Sequence, residues 1–493
     1  MKIGETIKQK LISWLMLDKN ANPMSIRVLE TMDFETNVFK NKMWYRGDAS
    51  ELHQFYTQYD DMMGNVKFWQ STSSNSVDFR KMHSGLPSLI IDTLADITFD
   101  DMNEFEFDNN DAKELWENIE KELPNDFIKN SFKKVMYLGD GAIRFVYHPH
   151  ESKYPIAEFY EADKVDFIYK HGKIHKIIFK MPYIIEDREF TLKEIHTEYG
   201  YTYELENERG VRVPIRDYPE FSGLKSFHKN SKYFMCVPII LGESSKYDGR
   251  GKSLIDGKED SFDAFDEAYS QIIEASRDNR TKQYIPETMI PKDPNTGETL
   301  KPNVFDGRFI KIKGQTGTES STSTIDVVNP QMDANGLLTA YTTTLDACLQ
   351  GLISPSTLGI DVKKLDNAEA QREKEKATLY TRNKIIKVAE KVIPKIVETA
   401  LLLMDMVNHK DYQEYDINVS FGEYANPSFE AVVETVGKAK QYKIMSNERV
   451  VDEMYGDTLD DDEKQKEIER LNNMDGFNTN EPVINEFDQV SDY

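Results

Sequence analysis

Three stretches follow one another without a gap: Met332-Asp-Ala-Asn-Gly-Leu-Leu-Thr-Ala-Tyr-Thr-Thr-Thr-Leu-Asp-Ala-Cys-Leu-Gln-Gly-Leu352, Ile353-Ser-Pro-Ser-Thr-Leu-Gly-Ile-Asp-Val-Lys-Lys-Leu-Asp366 and Asn367-Ala-Glu-Ala-Gln-Arg-Glu-Lys-Glu-Lys-Ala-Thr-Leu-Tyr-Thr-Arg-Asn383. They read as an apolar helix from Asp333 to about Leu352, a loop over 353–366, and a long charged helix reaching about Asn408. A loop held between two helices is a mechanical device rather than a chemical one. Leu338, Tyr341, Leu345, Cys348 and Leu352 recur every three or four residues. That stripe is narrower than the one a helix buried in a globular core shows. Cys348 on it reads as a small buried hydrophobe, not a nucleophile. Asp366 with Glu369 makes a capping box for the charged helix. Pro394 should kink that helix, because proline removes a backbone bond and clashes with the preceding turn.

Upstream lies a second narrow stripe, Phe262, Phe265, Tyr269, Ile272 and Ser276, on a helix expected from about Leu254 to Arg280. Asp263, Asp266, Glu267, Glu274 and Arg277 fall on its other faces. The spacing fits packing on another copy of the helix and an ordinary amphipathic surface helix equally well. Between the two striped helices, residues 281–331 carry Pro286, Pro291, Pro294, Pro302 and Pro330, a turn at Asp293-Pro-Asn-Thr-Gly297, and strand alternation over Gly307–Lys313. They read as a small strand-containing module.

Residues 1 to about 140 look mainly helical. Trp44-Tyr-Arg-Gly-Asp48 marks a turn after a helix over Met32–Met43. Ser84–Phe99 is a buried helix starting near Pro87, where proline fits the first turn. The helical pattern of Asp111–Leu138 breaks at Pro124. From Gly139 short β-branched and aromatic runs take over: Ala142–Tyr147, Ile156–Tyr160, Val165–Tyr169, Ile174–Met181 and Thr191–Leu205. They predict an antiparallel meander that ends near Pro238–Leu241. Ile417–Phe421 is a further strand. Ser446 caps a helix over Asn447–Met454, Thr458 caps one from Leu459 to about Leu471, and the tail from Asp475 is polar. The fold class is α+β.

With 493 residues the chain can hold two to four domains, and 39% hydrophobic with 11% aromatic residues can fill their cores. Its net charge of −25 argues against wrapping DNA over a broad surface, which needs cations against phosphates. Cys236 and Cys348 are too few and too far apart for a disulfide framework, which fits a reducing compartment. Lys2, Lys8 and Lys10 precede Leu11–Leu17. That core is short and polar-interrupted and its cleavage region is poor, so an amphipathic helix over 1–25 is expected rather than a signal peptide. No run approaches a membrane span.

Asp248-Gly-Arg-Gly-Lys-Ser253 invites a phosphate-loop reading, but Lys246 stands where the first glycine is needed. A glycine-rich connection with Ser253 near a helix N-cap is the better reading. His171 and His175 lie at a hairpin, and His148 and His150 flank Pro149; neither pair makes a metal site alone. The run Asp460–Glu463 sits at a helix start, where negative charge suits the dipole. No catalytic arrangement, cofactor site or metal site emerges. Lys363-Lys364 is the one cationic pair in the loop; as point charges they could touch phosphates without holding them.

The order of these parts resembles the portal proteins of tailed bacteriophages, particularly siphoviruses of Gram-positive hosts. The resemblance rests on Trp44–Gly47, Ser84–Phe99, Gly139-Asp-Gly-Ala-Ile-Arg144 leading into the strands, and above all the helix–insert–helix–loop–long-helix order over Leu254–Asn408. It covers nearly the whole chain. It implies a homo-oligomeric ring, usually of twelve copies, at one capsid vertex of the virion, assembled in the host cytoplasm. Double-stranded DNA would be packaged and ejected through it. Residues 26–250 would be the wing and 251–280 and 332–352 the stem, with Phe262, Phe265, Tyr269, Ile272, Leu338, Tyr341 and Leu345 as stem packing residues. Residues 281–331 would be the clip, docking the terminase large subunit and later head-completion (adaptor) proteins. Residues 353–366 would be the tunnel loop, 367–425 the long wing helix and strand, 426–473 the crown, and 474–493 a disordered tail. Val362, Lys363, Lys364 and Leu365 would face the DNA, unless the loop tip is Ser354–Thr357. Major capsid and scaffolding proteins are further implied partners. The resemblance implies no enzyme, no cofactor and no membrane. The alternatives are a phage head protein without a DNA channel, or a nucleotide-dependent enzyme using Gly249–Ser253.

Overall fold

The computed structural model describes residues 32–63, 68–71, 81–279, 282–286, 309–312, 326–328, 331–360, 368–422, 436–442, 444–455 and 461–476. It is mixed α and β, in two units, Met1–Gly422 and Glu423–Tyr493. The expected N-terminal helix over 1–25 lies outside the described residues.

The first unit opens with α1 (Phe34–Arg46), whose N-cap Asp33 accepts the Thr36 N–H. Gly47 ends it in the left-handed region at φ 72°, a conformation glycine adopts without strain. Next come α2 (Ala49–Met63), α3 (Leu86–Phe99), β1 (Glu106–Phe107), α4 (Asn110–Glu120) and α5 (Phe127–Leu138). α3 carries Pro87 in its first turn and buries Leu86, Ile90, Ile91, Leu94 and Ala95. The break between α4 and α5 falls around Pro124.

The strands follow: β2 (Asp140–Val146), β3 (Ile156–Glu161), β4 (Val165–Lys170), β5 (Lys173–Ile185), β6 (Arg188–Thr197), β7 (Gly200–Asn207), β8 (Arg212–Val213), β9 (Phe227–His228) and β10 (Cys236–Ile240). Here the single expected meander is corrected to two sheets. β4-β5-β6-β7-β8 run in that order, with β9 on β7, as a six-stranded sheet. β2 instead sits between β3 and β10, because the chain returns at Cys236–Ile240 to pair with Asp140–Arg144. The run Thr191–Leu205 also divides, into β6 and β7. Gly200 is required there: a Cβ would lie 2.0 Å from the Phe227 carbonyl oxygen.

α6 (Glu259–Asp278) leads to β11 (Lys282–Pro286), β12 (Phe309–Ile312) and β13 (Asp326–Val328), a three-stranded sheet with β11 in the middle. β12 is parallel to β11 and β13 antiparallel. α7 (Ala334–Leu349) and the 40-residue α8 (Ala368–Val407) follow, then β14 (Ile417–Asn418), antiparallel to β1. α8 continues through Pro394 as helix. Its Ile385, Ala389, Ile393, Val397 and Leu401 are fully buried in one core with Trp44, Tyr56, Trp116 and Phe262. Each such Ile, Val, Leu or Phe side chain stabilises the unit by roughly 1.5–3 kcal/mol relative to exposure.

In the second unit α9 (Asn447–Tyr455) packs with α10 (Asp461–Gly476). The Arg449 N–H donates to Ser446 Oγ at 3.4 Å, the cap expected there. α10 starts two residues later than expected and extends past Asp475, where a polar tail was expected. Thr458 and residues from 477 lie outside the described residues.

Candidate functional site

The helix pair α6–α7 is antiparallel. Lys258, just before α6, donates to the Ala347 and Gln350 carbonyls at the far end of α7, at 2.9 and 2.8 Å. Further along, Phe265 and Tyr269 meet the Tyr341 ring at 5.1 and 6.5 Å. A cation on the last carbonyls also complements the α7 dipole.

α6 starts at Glu259, not near Leu254, and its N-cap is Lys258, not Ser253. Residues 253–258 form a tight turn instead. Ser253 Oγ accepts the Ile255 N–H, and the Ser253 N–H donates to Asp256. Asp256 also accepts from Asn37 and Asn41 of α1.

The stripes meet two fates. Phe262 and Phe265 are 1% and 4% exposed, and Trp44 lies 5.8 Å from Phe262. Phe262 and Phe265 therefore pack into the chain's own core. Leu345 and Cys348 are buried, Tyr269, Ile272 and Tyr341 half-buried, and Leu338 is 59% exposed. Around Leu338 three threonines bond back to their own helix: Thr339 to Asn335 O, Thr342 to Leu338 O and Thr344 to Ala340 O. Such bonds occupy the hydroxyl donors within the helix. Asp346 is the one charged residue of α7.

Asp263 and Asp266, read as lying off the apolar stripe of α6, are buried. Asp263 accepts the Trp69 and Gln70 N–H groups at 2.7 and 3.2 Å. Asp266 accepts the Ser84 N–H at 2.9 Å and faces His83 Nδ1 at 2.5 Å. Ser270 Oγ accepts the Met82 N–H. One face of α6 thus pins the segments 68–71 and 81–84. Burial lifts the Asp263 carboxyl to about 6, against the pull of the two N–H donors. Burial likewise pushes the Cys348 thiol up to about 12, which leaves no thiolate for chemistry. Cys236 and Cys348 are both free and buried.

The connection Asp248–Ser253 is a structural joint. The Gly251 N–H donates to Asp140 Oδ2 at 2.8 Å. Arg250 is 9% exposed, pairs with Asp140 Oδ1 at 2.9 Å and donates to the Val165 carbonyl at 2.7 Å. Its guanidinium lies 3.8 Å over the Phe34 ring. A Cβ on Gly251 would sit 2.1 Å from the Gly139 carbonyl oxygen, so the glycine permits a backbone crossing. Burial raises Asp140 to about 6 and lowers Arg250, while their attraction works against both shifts. With Gly251 N–H and Arg250 so occupied, the loop has no cradle there for phosphate.

Of the expected loop, the first half packs on α8. Ile353 and Ser354 are buried. The Ser354 N–H donates to Thr378 Oγ1 at 2.9 Å, and Thr357 Oγ1 lies 2.9 Å from the same atom. Ser354–Thr357 is therefore not a protruding tip. Val362, Lys363, Lys364 and Leu365, and the capping pair Asp366–Glu369, lie outside the described residues and side chains. His171, at φ 53°, sits in the β4–β5 turn as expected of a hairpin tip. Among the described residues no group of three or more His, Cys, Asp or Glu could hold a metal, and no helix is long and apolar enough to cross a membrane.

Sequence reasoning missed the buried acids. The available signal was position: Asp266 lies one helical turn after Phe262, so it falls close to the apolar stripe.

No family model matches the chain, and no curated protein matches it. Among solved structures, a chain of "Virion of native gene transfer agent (GTA) particle" is similar at 12% identity, with 74% of this chain and 88% of that chain covered and a TM-score of 0.35. A chain of "Neck of native GTA particle computed with C12 symmetry" is similar at 12% identity over 78% and 89%, also with a TM-score of 0.35. At that level the likeness is too slight to carry fold or function.

Proposed function

We propose that the chain is the subunit of a portal ring, a non-enzymatic conduit for double-stranded DNA at one capsid vertex of a phage-type virion. The observation that carries this reading is the apolar stripe of α7, which outruns the chain's own cover at Leu338, 59% exposed. Leu338 beside the half-buried Tyr341 offers uncharged surface on which a neighbouring subunit can pack. Repetition of one heterologous contact closes into a ring when the rotation allows it. The antiparallel pair α6–α7 brackets the small sheet β11–β13 and leads through a loop into α8, the order that portal subunits share. The strong acidity suits a conduit, because a channel that held phosphate would stall passage.

In this reading residues 281–331 dock the terminase large subunit and then head-completion proteins, and capsid and scaffolding proteins surround the ring. Val362–Leu365 face the DNA. The occupied donors of the Gly249–Ser253 joint speak against the nucleotide-enzyme alternative.

Electron microscopy of the purified chain tests the proposal. Rings with a central hole wide enough for a duplex support it. A stable monomer overturns it, and closed assemblies without such a hole favour a head protein with no channel. Lys363→Ala/Lys364→Ala should leave rings intact and alter DNA packaging; unchanged packaging removes the two lysines from the mechanism.

A further inference from the structure

α8 carries a second feature that the ring does not explain. Tyr380, Lys384, Lys387, Lys391 and Lys395 are spaced four, three, four and four residues apart, on one exposed face. Tyr380 is 65% exposed. None of these four lysines is ion-paired within the described residues. At the end of the face, Lys395 and Lys173 of β5 line one open groove of about 390 Å3 with Phe234 and Leu402. Beyond it, the β4–β5 hairpin exposes Lys170, His171, Lys173 and His175, again without ion pairs within the described residues. Among the acids of this region, Glu390 flanks the stripe on α8 and Glu398 lines the groove. Burial raises the Glu398 carboxyl and Glu414 adds to that, while the attraction of Lys395 works against both. Two elements distant in sequence thus build one cationic face on a chain of net charge −25.

We propose that this face is a docking surface for the phosphate backbone of double-stranded nucleic acid. Lysines clustered on one face of an acidic protein fit a polyanion. Lysine is depleted in protein–protein interfaces, where arginine and aromatics dominate. As a compact point charge it contacts phosphate without reading sequence. The span from Lys384 to Lys395 is about 16 Å at 1.5 Å per residue. A duplex presents roughly one phosphate charge per 1.7 Å of axis, so several phosphates fall within reach. Single strands need a series of aromatic platforms, and Tyr380 is the one aromatic residue of α8. The surface lies apart from the α6–α7 pair, so ring formation and this contact can fail independently.

The test is binding of a labelled duplex about two helical turns long, followed by fluorescence anisotropy from about 50 to about 200 mM salt. The parent should bind at low salt with a steep log–log salt slope. In the variant Lys384→Gln/Lys387→Gln/Lys391→Gln/Lys395→Gln, each lost contact should flatten that slope by about 0.9, and low-salt affinity should fall roughly tenfold or more. Lys170→Gln/Lys173→Gln should act in the same direction, less strongly. Lys121→Gln/Lys252→Gln, exposed lysines off this face, should change neither. An unchanged slope in the fourfold variant overturns the proposal, as does an equal loss in the Lys121/Lys252 control. Retained duplex affinity with lost self-association in sedimentation also overturns it and assigns the face to an acidic surface of a second copy. Should the fourfold variant melt lower than the parent, Lys384→Gln/Lys387→Gln and Lys391→Gln/Lys395→Gln carry the same test, each with about half the slope change.

Discussion

At the inner end of the α6–α7 pair, side chains find their partners within the chain. Arg250 clasps Asp140, Asp263 and Asp266 hold backbone N–H groups, and Phe262 lies against Trp44. At the outer end, α7 exposes Leu338 and binds its threonine hydroxyls to its own carbonyls. The two helices differ in charge to match: α6 has eight charged residues in 20 and α7 has one in 16. The apolar spacing is the same along both. The comparison teaches that a stripe reports a contact but not its owner. The buried carboxylates of α6 do report it, because their hydrogen-bond donors come from this chain.

The largest expected effect would break the inner end. Arg250→Ala leaves Asp140 buried without its cation and should cost about 3–5 kcal/mol in urea unfolding. A loss under about 1 kcal/mol would mean that the joint is not held internally. Next comes pH. The folded Asp263 value of about 6 lies above its ordinary 3.8, so the folded chain keeps a proton that the unfolded chain has released. Stability from this group therefore rises as pH falls through about 6 and is fully gained near 3.8. The gain is at most about 3 kcal/mol. Asp140, also raised to about 6, titrates in the same window. The difference between parent and Asp263→Asn isolates the site, and parallel pH–stability curves would refute its burial.

Smaller is Thr378→Val, which removes the acceptor of the Ser354 N–H and should cost about 1 kcal/mol. No change in unfolding would detach the first half of the loop from α8. Smallest on the fold is Leu338→Glu, expected within about 0.5 kcal/mol of the parent yet abolishing rings in electron micrographs. A stability loss typical of a buried leucine would instead return Leu338 to the chain's own core and dissolve the contrast between the two ends.

Much of the element order was legible. Gly47, Pro87, Pro124 and Ser446 marked helix boundaries through local backbone chemistry, which needs no distant partner. The sheet division was not legible. Cys236-Val-Pro-Ile-Ile240 reads as a strand wherever it pairs, and its partner Asp140–Arg144 lies about a hundred residues earlier. The start of α6 was misread because Ser253 offers a cap in isolation, whereas Asp256 and Asn41 draw it into a turn. The lysine face of α8 was written in its spacing. Its continuation onto the β4–β5 hairpin was not, since only packing brings Lys173 beside Lys395.

The sequence by itself determined the α+β class, the helix–insert–helix–loop–helix order, the acidity and the inert character of Cys348. These follow from local propensity, periodicity and composition, which each segment carries with it. Only the tertiary structure decided that Gly251 serves a backbone crossing, that Asp263 and Asp266 are internal acceptors, and that Phe262 and Leu338 have different destinations. Each of those depends on which distant group supplies the missing hydrogen bond or cover, and a one-dimensional pattern does not encode that distance.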